Sequence, residues 1–335
     1  MIIIRSLEIG DLNMDEFSFI NSIKQSLYKQ SSLVKGVGDD AAVFRQQTQD
    51  IVTAVDTFVE NIHFTRQTMP PFYIGYRALV ANISDIAAMG ASPAFYLVSI
   101  IIPKTWTENE CMEIFSGMKK VGKEYRMDLI GGDTVSGSEL SISITVIGYV
   151  NRGQARYRSV AKDQDVVFVT GTLGDSRAGL HMLLNQGDYI NESYFKERHQ
   201  MPTPRIDFVN GLQQIPRMAL NDISDGIANE ATEIAEASEV DIHLVEEAIP
   251  LAESFDQFSD HLQEKWKYFG GEDFEILGTV PLKNWSHVQS VADRVGIQVT
   301  EIGKVVLPRK ESGNVYLQKG NQVRPLTKNG YTHLT

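Results

Sequence analysis

Gly36-Val37-Gly38-Asp39-Asp40-Ala41-Ala42-Val43-Phe44 sets two glycines and two adjacent acids ahead of a small-apolar run. Glycine permits positive φ and close backbone approach, so the stretch predicts a tight loop that presents carboxylates and then enters a strand. Neighbouring aspartates repel each other, and would rarely stand beside a phosphate without metal ions between them. The same grammar returns at Val55-Asp56-Thr57, Asn82-Ile83-Ser84-Asp85, Gly131-Gly132-Asp133-Thr134, Asn221-Asp222-Ile223-Ser224-Asp225-Gly226 and Gly270-Gly271-Glu272-Asp273. One such loop is a turn. Six in one chain predict a metal and phosphate site assembled from the whole sequence.

At 335 residues the chain is longer than the ~250–300 residues at which single cores stop growing, which predicts two domains. The polar stretch 151–162, with Arg152, Arg156 and Arg158, sets the expected boundary between 1–150 and 151–335. A formal net charge of −12 argues against nucleic acid and anionic membranes as partners. No apolar run approaches the ~20 residues needed to span a bilayer. Met1-Ile2-Ile3-Ile4-Arg5 is too short for a signal-peptide apolar region, so the expected compartment is the cytoplasm. The single cysteine, Cys111, excludes intrachain disulfides and thiolate zinc sites. It falls on a helical stripe with Ile114, Phe115, Met118 and Val121 and reads as core.

The first half reads β-α-β-α-β-β after an opening helix that Asn13 and Glu16 would cap. The elements are a strand at 51–59, a helix at 72–89 closed by Gly90, and a strand at 94–102. A helix at about 108–123 follows, capped by Thr107 with Glu110, then strands at 127–130 and 140–150. Asp56 lies within the first strand, and Asn82 and Asp85 share a face of the first long helix. The second half adds strands at 166–170, 218–220, 240–245 and 274–280, with helices at 176–184, 224–237 and around Trp285–Val295. Residues 185–200 read as a loop. The turn Gly171-Thr172-Leu173-Gly174-Asp175 opens a helix and could take an anion. It is neither a Walker A nor a dinucleotide fingerprint.

If the acids of these loops converged without cations, repulsion would raise several of their pKa values. Oxygen donors without clustered histidines suit Mg²⁺, and several Mg²⁺ ions beside Gly-rich loops imply a polyphosphate substrate and phosphoryl transfer. Taken singly, each aspartate reads equally as a turn or helix-cap residue. Asp39, Asp175 and Asp273 fit that structural reading best.

Five motifs, in order and at fitting spacing, resemble thiamine-monophosphate kinases: 36–42, 82–91, 131–134, 222–226 and Gly271-Glu272-Asp273-Phe274-Glu275. The resemblance covers nearly the whole chain. It implies the fold of the aminoimidazole-ribonucleotide-synthetase-like superfamily, an α/β N-terminal domain that dimerises and an α+β C-terminal domain. It further implies ATP-dependent conversion of thiamine monophosphate to thiamine diphosphate, and a homodimer. By motif position, Asp40, Asp56, Asp85, Asp133, Asp222 and Asp225 would hold Mg²⁺. Gly132, Asp133, Arg158 and Ser224 would contact ATP, and His63, Glu272 and Tyr331 the thiamine phosphate.

Residue by residue, Arg158 reads equally as a phosphate ligand or a solvated linker arginine, and His63 alone reads as an ordinary hydrogen-bonded histidine. The acceptor is itself a phosphate monoester, already anionic at neutral pH. No general base is therefore expected, and transfer of the γ-phosphoryl group is expected to be direct and in line. Two departures from the family pattern stand out. Ala54-Val55 replaces a usual hydroxyl pair before Asp56, and Tyr268-Phe269 replaces Leu-Ser before Gly270, where it is expected to reshape the thiamine pocket. The alternatives are a non-catalytic nucleotide- or thiamine-phosphate-binding sensor, or another ATP-dependent enzyme of the superfamily.

Overall fold

The computed structural model describes residues 28–35, 43–44, 48–308 and 313–328. The expected opening helix and the loop with Asp39 and Asp40 lie outside them. A short antiparallel pair, β1 (Leu33–Lys35) and β2 (Val43–Phe44), precedes the first sheet. That sheet comprises β3 (Gln49–Val59), β4 (Ser92–Pro103), β5 (Asp128–Gly137) and β6 (Ser141–Asn151), in the order β3-β6-β4-β5. Helices α1 (Pro71–Ala88) and α2 (Glu108–Glu124) join the strands and pack on each other. The β-α-β-α-β-β reading and both helix ends match. Thr107 and Glu110 form a reciprocal capping box. Beyond α1, Gly90 N–H donates to Ala87 O at 2.8 Å and Ala91 N–H to Ile86 O at 3.0 Å, a Schellman closure.

One face of this sheet is covered and the other is not. In β3 the side chains of Val52, Ala54, Asp56 and Phe58 turn inward, while Ile51, Thr53, Val55 and Thr57 are exposed. The Gly131–Thr134 segment, expected as a loop, is instead the middle of β5, which pairs in parallel with β4 through Gly132↔Val98 and Asp133↔Ser99. A Cβ on Gly132 would stand 1.9 Å from Val98 O. The glycine therefore lets the strand close on its neighbour and does not mark a turn.

The second sheet has seven strands: β7 (Asp165–Thr170), β8 (Ala219–Asp222), β9 (Asp241–Val245), β10 (Ile276–Pro281), β11 (Val299–Val306), β12 (Val315–Lys319) and β13 (Gln322–Pro325). Their order is β13-β12-β9-β11-β7-β10-β8. Helices α3 (Asp175–Leu184), α4 (Glu192–Gln200), α5 (Ile206–Gly211), α6 (Ile227–Ser238), α7 (Asp260–Phe269) and α8 (Trp285–Val295) are the other α-helices among the described residues. Both faces of β7 are buried. Val166 and Phe168 join the core that holds Ile83 and Ile144 of the first unit, whereas Val167 and Val169 pack with Ile227, Ala231 and Ile234 of α6. The 185–200 region is not a plain loop, because α4 forms there and buries Phe195 and His199. Cys111 is fully buried, and burial pushes its thiol up to about 11. No described helix is long and apolar enough to cross a membrane.

Candidate active site

Helix α1 fixes the first part of the site. Asn82 accepts a hydrogen bond from the Asp56 amide at 3.0 Å, and Ser84 Oγ donates to Asp222 Oδ2 at 2.8 Å. β3, α1 and β8 thus each bring one carboxylate, Asp56, Asp85 and Asp222, to the junction of the two sheets. Burial, then the charges of Asp222 and Asp56, push Asp85 up to about 8 against the opposing pull of Arg158. Burial and Asp56 push Asp222 up to about 6, although the Ser84 hydroxyl and Arg158 favour its anion. Asp56 is raised by burial. Three acids that resist joint ionisation suit a site completed by external cations. Among the described residues no group of three or more acidic, histidine or cysteine side chains is close enough to hold a metal alone. A Mg²⁺ ion typically takes one or two carboxylates and completes its shell with water and substrate phosphates, which this donor set fits.

Arg158 borders the cluster. Its Nη1 lies 2.8 Å from Glu233 Oε2, and its Nε and Nη2 donate to Asn221 Oδ1 at 3.0 and 2.8 Å. Glu230, buried on α6, accepts from Asn221 Nδ2 at 2.5 Å, from the Asp225 amide at 3.0 Å and from Ser224 Oγ at 3.3 Å.

The 270–274 loop is sewn onto the same turn. The Glu272 amide donates to Ser224 O at 2.7 Å and the Phe274 amide to Ile223 O at 3.0 Å. A Cβ on Gly271 would stand 2.2 Å from Ser224 O, so only glycine allows this approach. Glu272 and Phe274 both take positive φ, 70° and 52°, conformations that persist in non-glycine residues only where the surroundings enforce them. A cavity of about 520 Å³ opens beside the loop, lined by His63, Glu272, Phe58, Phe274, Arg177 and Asp56, with Ser224 and Asp225. His63 stacks on Phe58 at 5.1 Å, and its Nδ1 accepts from the Val59 amide at 3.1 Å. Its ring proton is therefore on Nε2. Fully buried Arg77 places Nη2 2.7 Å from Glu272 Oε2.

The family of AIR synthase related proteins matches the chain twice, by its N-terminal domain over residues 38–150 and its C-terminal domain over 162–315. The chain is 44% identical over 327 residues to the thiamine-monophosphate kinase of Bacillus subtilis, covering 96% of this chain and 99% of that one. It belongs to the thiamine-monophosphate kinase family. The crystal structure of the thiamine-monophosphate kinase from Stenotrophomonas maltophilia is similar, with a TM-score of 0.79 and 27% identity over 90% of this chain and 95% of that one. The structure of AaThiL complexed with AMPPCP and TMP has a TM-score of 0.72 and 29% identity, covering 96% of this chain and 99% of that one. The chain thus has the two-domain α/β architecture of this kinase family.

Set against the family expectations, the structure gathers Asp56, Ser224, Asp225, His63 and Glu272 around one cavity, with Asp85, Asp222 and Arg158 in the adjoining carboxylate cluster. Gly132 and Asp133 stand apart. They are on the far edge strand of the first sheet, three strands from Asp56, roughly 14 Å at ~4.8 Å per strand. Asp133 is exposed and shares the open face with Ser99, Ser143 and Thr57. Asp40 and Tyr331 lie outside the described residues. Neither departure from the family pattern reaches the cavity by its side chain. Val55 points to the open sheet face, Ala54 packs against the core, and Tyr268 and Phe269 belong to the core of the second unit. The expected reshaping of the pocket by Tyr268-Phe269 is therefore not found in the side chains that line it.

Asp273 accepts from the Gly174 and Ser176 amides at 2.7 and 3.0 Å, so the anion at the start of α3 is internal. Asp175 accepts from Tyr194 Oη at 2.6 Å and from Thr172. Both are structural, as the sequence indicated. Arg77, Arg177 and Glu230 were not singled out from the sequence. For Arg77 and Glu230 a signal existed. Each occupies the i+3 position of a buried stripe, after Ile74 on α1 and after Ile227 on α6, where an apolar residue is expected.

Proposed function

We propose that this chain transfers the γ-phosphoryl group of ATP to thiamine monophosphate, forming thiamine diphosphate, as a Mg²⁺-dependent homodimer. The observation that carries the reading is the single cavity shared by His63 and Glu272, expected at the thiamine phosphate, and by Asp56, Ser224 and Asp225, expected at the metal–nucleotide side.

The division of labour follows from the place of each residue in or beside the cavity and, for Asp40 and Asp133, from the family motifs alone. Phe58 and Phe274 offer aromatic faces to a heterocycle. His63 would donate from Nε2 to the acceptor's phosphate. Arg158 and Arg177 supply permanent positive charge for phosphates. Asp56, Asp85, Asp222 and Asp225, with Asp40 and Asp133, would hold Mg²⁺, which when bound screens the two anionic substrates and steadies the charge that builds on the transferred group. The acceptor oxygen is already ionised near neutral pH, so no residue is assigned as general base and in-line transfer requires alignment above all.

The open face of the first sheet supports the homodimer. Ile51, Val55, Ile101 and Val135 are 53%, 61%, 38% and 46% exposed on it, an apolar patch of the kind a second copy would cover. Gly132 and Asp133, on the edge strand of that sheet, would then be available to the partner's nucleotide. The same reading divides the chain into a dimerising unit at 1–150 and a unit at 151–335 that completes the substrate site.

The test is purified protein with ATP, Mg²⁺ and thiamine monophosphate, following thiamine diphosphate by chromatography, with Asp133→Asn alongside. Product that disappears in the variant supports the reading. Tight binding of either substrate without product would make the chain a sensor, and the kinase reading would fall.

A further inference from the structure

We propose that Glu230 is a positioning residue for nucleotide binding: from its buried place on α6 it holds Arg158, through Asn221, and the Ser224-Asp225 turn in the geometry that receives ATP. The inference rests on the kinase reading for the identity of the ligand. Its geometry is independent of that reading.

The hydrogen bonds converge in one direction. Glu230 Oε2 accepts from Asn221 Nδ2 at 2.5 Å, and Oε1 accepts from the Asp225 amide at 3.0 Å and from Ser224 Oγ at 3.3 Å. Asn221 Nδ2 and the Asp225 backbone N–H can only donate, one to each oxygen, so both oxygens of residue 230 must accept. With its amide hydrogens committed to Glu230, and to Glu233 at 3.3 Å, Asn221 must present Oδ1 outward. There it accepts from both Nε and Nη2 of Arg158. The amide cannot flip without facing its hydrogens toward the guanidinium. Glu230 thereby fixes which way Asn221 points, and Asn221 fixes where a half-exposed arginine points.

The location fits this role and not that of a surface charge. Glu230 is 3% exposed, between Ile227 and Ala231 of the buried stripe of α6. A polar group is expensive to bury and is tolerated where hydrogen bonds satisfy it. Three of the residues it organises, Arg158, Ser224 and Asp225, are those that the family resemblance assigns to ATP and metal.

The measurement is the calorimetric affinity of the full chain for Mg²⁺–AMPPCP and, separately, for thiamine monophosphate. The proteins are wild type, Glu230→Gln, Asn221→Ala, Arg158→Ala and the Glu230→Gln/Arg158→Ala pair. Glutamine turns an amide against the donors. That leaves a buried donor unmatched, so Glu230→Gln is expected to weaken Mg²⁺–AMPPCP about tenfold or more, with thiamine monophosphate affinity within about twofold of wild type. Asn221→Ala leaves Glu230 and its bonds to the Ser224-Asp225 turn in place and should show the part of the loss that passes through Arg158, again confined to the nucleotide; it carries the test if Glu230→Gln fails to fold. The double variant should bind better than the product of the single losses predicts, because part of Glu230's effect passes through Arg158. Unchanged nucleotide affinity in both Glu230→Gln and Asn221→Ala, an equal loss of both substrates, or fully multiplicative losses would each overturn the proposal while leaving the kinase reading intact. Failure of wild type to bind Mg²⁺–AMPPCP would overturn both.

Discussion

Two clusters of largely buried acids meet where β8 pairs with β10, Asp222 opposite Ile276, and are compensated in opposite ways. At Asp56, Asp85 and Asp222 the carboxylates face one another, and the nearest cation, Arg158, is shared with Asn221 and Glu233. At Asp175, Asp273 and Glu275 the fold supplies its own partners. Arg198 and Arg205 clasp Glu275, Tyr194 and Thr172 serve Asp175, and the start of α3 serves Asp273. Burial raises both sets. In the second, Asp273 still stands near 7, but at Glu275 Arg205 and Arg198 overcome burial and hold the carboxyl down to about 2, while in the first, where no arginine clasps a carboxylate, Asp85 stands near 8. A buried acid cluster that neutralises itself is architecture; one that does not is a site for something from solution. Both share the small-residue-and-acid grammar, which therefore does not tell them apart.

Substitution should split the clusters most sharply. Asp85→Asn is expected to lower thiamine diphosphate formation at least about a hundredfold. Asp85 is charged only as pH approaches and passes about 8, so the melting temperature without Mg²⁺ should hold at neutral pH and rise above that value. Glu275→Gln removes the carboxylate of Arg205 and leaves Arg198 only its longer carboxylate contact, to Asp175 at 3.8 Å, and should destabilise the chain by about 3–5 kcal/mol, read as a lower urea midpoint. If Asp85→Asn destabilises as Glu275→Gln does, the distinction between the clusters collapses.

Metal should act on one cluster only. Asp222 and Asp85 have folded pKa values raised to about 6 and about 8, above the unfolded carboxylate range. The stability they contribute without metal is therefore full at acid pH and lost as pH rises through those values. A cation that pairs with the ionised forms should reverse that loss. The rise in melting temperature on adding Mg²⁺ is thus expected to be larger at pH 8.5 than at pH 6. Asp85→Asn should flatten this dependence and Glu275→Gln should preserve it. Glu275 has the opposite sign: its depressed pKa gives stability that is present above the unfolded value and lost as pH falls toward about 2. The smallest effect is expected at Tyr194→Phe, which removes one of the bonds to Asp175 and should lower stability by about 1 kcal/mol, with Mg²⁺ dependence unchanged.

Much of the first unit was legible because local rules decided it. The Thr107 and Glu110 box, the Gly90 closure and the alternation along β6 each coincide with an observed element. Asp56 and Asp85 were legible as candidates because acids stand out in apolar strands and Ala-rich helices. The strand at Gly131–Thr134 was missed because two glycines read as a turn, whereas here they let edge strand β5 close on β4. Helix α4 was missed because its exposed face dominates its composition and only Phe195 and His199 are buried. The partners that distinguish the clusters come from distant sequence: Arg198 lies 77 residues from Glu275 and Arg77 reaches Glu272 from the other unit. No local pattern encodes such pairings.

The most direct test of the central claim is the Mg²⁺ dependence of thiamine diphosphate formation at pH 8 for wild type and Asp222→Asn. The account predicts no product in the presence of a chelator, saturable activation of wild type by Mg²⁺, and a variant that is folded but hardly activated at any Mg²⁺ concentration. Product formed by wild type without divalent metal, or an Asp222→Asn variant activated like wild type, would contradict it.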